Sequence, residues 1–129
     1  MKTPINPTSV RRPFGNYNHG LVVADAGRLL VTSGQLGIGV DDVVPETVEE
    51  QAVICFEAIK AILEEGGMTF EDVIRIAGFV TRREDFPAYM AVRDRYVKPP
   101  LPVSTLIIVS GFTRPEFLVE VEVTAAKAG

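Results

Sequence analysis

The sequence predicts an α+β protein in which two helices pack on one face of a mixed sheet. Three features carry that expectation. Two stretches with helical periodicity are separated and flanked by segments of strand composition, in the order β-β-α-β-α-β-β. The last of those segments alternates strictly between its two sides. The segment before it is apolar on both sides, so the second face of the sheet also needs a cover.

The 129 residues read as a single domain, 1–129, long enough to bury about two thirds of the unfolded surface in one core. Residues 1–16 contain three prolines and few apolar side chains, which predicts an extended N-terminal arm. "GLVVADAGRLLVTSGQ" has the form of a hairpin, with Asp25-Ala26-Gly27 as its turn. "GQLGIGVDDVVP" reads as a glycine-rich loop. It has neither a P-loop lysine nor the dinucleotide-binding spacing.

Thr47 to Glu65 is the clearest helix. Thr47 and Glu50 stand at capping-box spacing, Gly66-Gly67 supplies a stop, and Val48, Ala52, Cys55, Ile59 and Ile62 recur every three or four residues. "VIRIAGFVT" (73–81) has strand composition. A second helix is predicted from about Asp85 to Lys98, ended by Pro99-Pro100. Strands follow at 103–109 and 117–125.

In the final strand Phe117, Val119, Val121, Val123 and Ala125 share one side, which belongs under the helices. Leu118, Glu120, Glu122 and Thr124 share the other. In the strand before it, Ser104, Leu106 and Ile108 point one way and Val103, Thr105, Ile107 and Val109 the other, with Thr105 expected to face the helices. A sheet apolar on both sides predicts a homo-oligomer whose subunits cover the second face.

Composition narrows the function classes. A net charge of −4 argues against a general nucleic-acid binder, which masses basic residues on one face. One cysteine rules out an internal disulfide and fits a reducing compartment. No segment has the apolar length of a signal peptide or a membrane span, so a cytoplasmic protein is the default. Cys55 falls in the apolar stripe of the first helix and is a packing residue. His19 is the sole histidine and has no partner at metal-ligand spacing, so no metal site is expected. Glu120 and Glu122 are the suggestive pair, because a carboxylate on a face that oligomerisation partly buries can be raised into the range of acid-base work.

"GNYNHG", "LLVTSGQ", "EEQAVICFEAIKAILEEGG", "DFPAYMAVRDRYV", "PPLPVSTL" and "LVEVEV" together resemble the reactive-intermediate deaminase family (RidA, also called YjgF or L-PSP endoribonuclease). The match runs in order from about Gly15 to the C-terminus. It implies a chorismate-mutase-like fold and a homotrimer with a central barrel and ligand clefts between subunits. It also implies hydrolysis of small enamines and imines such as 2-aminoacrylate, without metal or organic cofactor. By the same resemblance Glu120 holds the catalytic water, and Tyr17 and Ser33 line the pocket. The family's carboxylate-gripping arginine falls at Ser104, its following cysteine at Leu106 and its helix asparagine at Met90. The arginine is therefore missing from its place, and Arg11, Arg12, Arg82 and Arg114 are the candidates to supply a charge from elsewhere. Without a substitute, weak binding of small carboxylates is expected. The readings left open are an imine or enamine deaminase, a non-catalytic trimer binding a small metabolite, and, least favoured by the acidic composition, a ribonuclease.

Overall fold

Apolar side chains at every second position of a long C-terminal strand organise the molecule. In a computed structural model describing residues 1–129, that strand is β7 (Val119–Lys127). It lies in a five-stranded mixed sheet with β3 (Arg28–Val31), β4 (Gln35–Leu36), β5 (Val73–Val80) and β6 (Val103–Ile108). The order across the sheet is β3-β7-β5-β6, and β4 pairs with a further stretch of β7. All ladders are antiparallel except β5 with β6. Parallel neighbours need a crossover, and α2 (Phe86–Tyr96) provides it.

The inner face of β7, from Val119 to Ala125, is buried against α1 (Val48–Glu65) together with Ile76 and Val80 of β5. On α1 the predicted stripe holds at Ala52, Cys55 and Ile59, and Phe56 and Leu63 complete it; Val48 and Ile62 are half-buried. Tyr89 and Val92 of α2 close the same core.

The ends of α1 follow from its sequence. The Thr47 hydroxyl accepts the Glu50 N–H at 3.1 Å and donates to Glu50 Oε1 at 2.8 Å. At the other end Gly67 takes a φ of +74°, where a side chain would be strained, and two backbone bonds close the helix: Met68 N–H to Leu63 O and Gly67 N–H to Glu64 O.

Several local expectations are revised. β2 (Gly20–Val23) does not form a hairpin with β3; it pairs with β1 (Lys2–Ile5), which the N-terminal segment contributes as a strand. Between β2 and β3, Asp25 takes the left-handed conformation, at φ 57°. Gln35 and Leu36, read as loop, form β4. The second helix ends at Tyr96, before Lys98. Thr105 does not face the helices. Its register partner is Ala77, and it lies exposed on the open side, while Leu106 packs toward the core.

That open side carries Leu29 and Val31 of β3 and Ile107 of β6, exposed by 68%, 72% and 47%. No helix covers it. No helix is long and apolar enough to cross a membrane.

Candidate functional site

The edge of β7 next to β3 and β4 is built around an interruption. Thr32 is buried, and its hydroxyl accepts the Val123 N–H at 3.0 Å in place of a ladder bond. The chain then leaves the sheet at Ser33 and Gly34 and rejoins it as β4, where Leu36 pairs with Glu120. Glu120 therefore projects on the open face against this break. A Cβ at Gly34 would lie 2.5 Å from Glu120 Cδ, so only glycine lets the carboxyl rest there. Desolvation pushes the Glu120 carboxyl above the ordinary carboxylate range, and the charge of Glu122 pushes it further. Ser33 is exposed beside it in the break.

A second group forms beyond β5, at the β6 edge of the sheet. The loop holding Tyr17 is tied to the entrance of β6 by Asn18, whose N–H donates to Pro102 O at 3.1 Å and whose Nδ2 donates to Leu101 O. The Tyr17 hydroxyl accepts the Phe14 N–H at 3.1 Å. Ser104, which pairs in register with the buried Ile76, lies on the helix side of β6, where its hydroxyl meets α2. Leu106 follows on the same side, and Met90 is exposed on α2.

The six residues singled out from the sequence thus divide into two sets on one chain. Ser33 and Glu120 stand at the break between β3 and β4 beside β7, with Glu120 on the open face. Tyr17, Ser104, Leu106 and Met90 belong to the β6 edge and α2, with β5 between β6 and β7.

The arginine that reaches Ser104 was not among the four candidates. Arg11 stacks on Phe14, Arg82 pairs with Asp85 at 2.9 Å, and Arg114 pairs with Glu116 at 3.3 Å. Arg93, on α2, is only 3% exposed and donates from Nη1 to Ser104 Oγ at 3.2 Å. A signal was present in the sequence. Tyr89, Val92, Arg93 and Tyr96 have the three-to-four spacing of a buried helix face.

Cys55 is fully buried, with its thiol pushed up to about 12 chiefly by that burial, so it is not a nucleophile at neutral pH.

Two helices on one face of a mixed sheet, with a raised carboxylate at a strand break on the other, define a class already suggested by the sequence motifs. The family model described as Endoribonuclease L-PSP matches residues 8–127, and the chain belongs to this RidA/YjgF family. A RutC family protein of Saccharolobus solfataricus is 31% identical over 99% of this chain and 100% of its own length. A protein of Dermatophagoides farinae named 2-iminobutanoate/2-iminopropanoate deaminase is 28% identical over 83% of this chain and 80% of its own. Among solved structures, RidA from an Antarctic Psychrobacter is 25% identical, covers 97% of this chain and 99% of its own, and superposes with a TM-score of 0.72.

Proposed function

We propose that the protein hydrolyses a small 2-imino acid or its enamine in clefts between the subunits of a homotrimer. The observation that carries this reading is the Glu120 carboxyl, raised in its affinity for protons and set against the Ser33-Gly34 break on the open face. Water adds to the imine carbon as Glu120 accepts its proton, giving a tetrahedral carbinolamine. Glu120 returns that proton to nitrogen, and transfer of the carbinolamine hydroxyl proton to nitrogen as the C–N bond breaks releases ammonia and leaves the keto acid. Tyr17 and Ser33 orient the ligand. The two separated residue sets support a cleft completed by a neighbouring copy, with Glu120 and Ser33 from one subunit and Tyr17, Ser104, Leu106 and Met90 from another.

The test supplies 2-iminobutanoate from threonine through a dehydratase and follows release of 2-oxobutanoate. Acceleration by the wild type and its loss in Glu120→Gln are expected. A second reading, a trimer that binds a small metabolite without turning it over, is favoured by one observation: the β6 strand presents a hydroxyl, Ser104, where the family resemblance places an arginine. Absence of any acceleration by the wild type would favour that second reading.

A further inference from the structure

Burying a guanidinium is costly unless its N–H groups are matched, and Arg93 is matched incompletely. Its Nε and Nη2 both donate to a single oxygen, Asp94 Oδ1, at 3.3 and 3.1 Å, and Nη1 donates to the neutral Ser104 hydroxyl at 3.2 Å. The fork is built to hold two oxygens in parallel, yet here one oxygen takes both bonds. Two of its five N–H groups are left over. Asp94 itself is 39% exposed and adjacent in sequence, so it can turn to water at little cost. Before Nη2 lies Gly15, where a Cβ would stand 3.5 Å from the guanidinium and 4.0 Å from the Tyr17 ring. No side chain of that residue fills this corner.

We infer that Arg93 is the carboxylate anchor of the cleft and that Asp94 is its resident competitor. A small carboxylate entering between the Gly15–Tyr17 loop, α2 and β6 displaces the Asp94 oxygen and engages the guanidinium fork with both of its own. The charge that β6 lacks at Ser104 is thereby supplied from the neighbouring helix, and the Ser104 hydroxyl leaves room for it. This deepens the proposed function and rests on it, since it names the residue that holds the carboxylate of the 2-imino acid.

The probe is 2-oxobutanoate, compared with 2-butanone, which lacks the carboxylate. Dissociation constants are measured by titration calorimetry on the wild type, Arg93→Met, Arg93→Lys and Asp94→Asn, with folding checked by circular dichroism. The wild type is expected to prefer 2-oxobutanoate by about tenfold or more. Arg93→Met should lose roughly ten- to a hundredfold for the acid and nothing for the ketone. Arg93→Lys, which keeps the charge but not the fork, should fall between. Asp94→Asn should bind the acid more tightly, by about threefold or more, because its internal rival is gone. A purely structural Arg93–Asp94 pair predicts no such gain.

Equal binding of acid and ketone by the wild type overturns the inference, as does an unchanged constant in folded Arg93→Met. Should Arg93→Met fail to fold, unchanged acid binding in Asp94→Asn overturns it alone. Imine hydrolysis that needs Glu120 but is indifferent to Arg93 would remove this inference and leave the hydrolase standing.

Discussion

Glu120 and Glu122 stand two residues apart on one strand face, and the chemistry proposed for the first depends on the second. Burial is the larger cause of the raised Glu120 carboxyl, and the Glu122 charge is the smaller. A base must be ionised to take a proton from water, so kcat/KM for imine hydrolysis should fall as pH drops through the raised Glu120 pKa. Replacing Glu122 with Gln removes the neighbouring charge and lowers that pKa. The acid limb of the profile should therefore move to lower pH in Glu122→Gln, with little change at neutral pH. An unmoved or upward-moved limb would mean that Glu120 is not the titrating base. Both glutamates were legible in the sequence, because strict alternation with valines leaves a strand only one way to turn them. Arg93 was legible only through its spacing with Tyr89, Val92 and Tyr96, a weak signal because a charged residue on a helix is ordinarily solvated. Its place on the buried face of α2 is set by contacts with β6, some ten residues further along the chain.

Local signals fared well at helix ends and poorly at strand partners. The Thr47 cap and the Gly67 stop involve bonds within a few residues, so they can be read directly. The Asp25-Ala26-Gly27 turn is equally local, yet it reports only that the chain bends there. Which strands β2 and β3 join is decided by distant partners, β1 and the end of β7. Gln51 shows the same limit. Set in the apolar stripe of α1 and fully buried, it donates from Nε2 to Pro45 O at 2.9 Å and to Glu116 O at 2.8 Å. Its Oε1 accepts the Leu118 N–H at 2.9 Å. One amide thus ties α1 to the segments that lead into α1 and into β7. Gln51→Leu keeps the volume but leaves three backbone groups without partners. It should cost roughly 3 kcal/mol, measured by urea denaturation, since each unmatched buried group costs about 1 to 3 kcal/mol and water recovers part. A loss below about 1 kcal/mol would show that those segments are held by other contacts.

For the whole molecule the open sheet face matters most. Leu29, Val31 and Ile107 leave it apolar, and full burial of such a side chain stabilises by about 1.5 to 3 kcal/mol. A face of this kind on a free monomer would be an aggregation hazard, whereas in a closed assembly it becomes a second core. The catalytic proposal adds an independent demand, because Glu120 on the open face of β7 and Tyr17 beside β6 fall in separate groups on one chain, which a neighbouring copy would join. Val31→Glu tests both arguments together. Val31 is the most exposed of the three, on an edge strand that has no helix above it, so the carboxylate should be harmless to a single chain. In the trimer it would bury an unpaired charge at each interface, at a cost of several kcal/mol apiece. Light scattering should give a trimer for the wild type and a monomer of 14.0 kDa for the variant at micromolar concentration, with an unchanged circular dichroism spectrum. Imine hydrolysis should vanish along with the trimer. A wild-type monomer would remove the oligomer, and a monomeric variant that still turns over substrate would place the whole site within one chain.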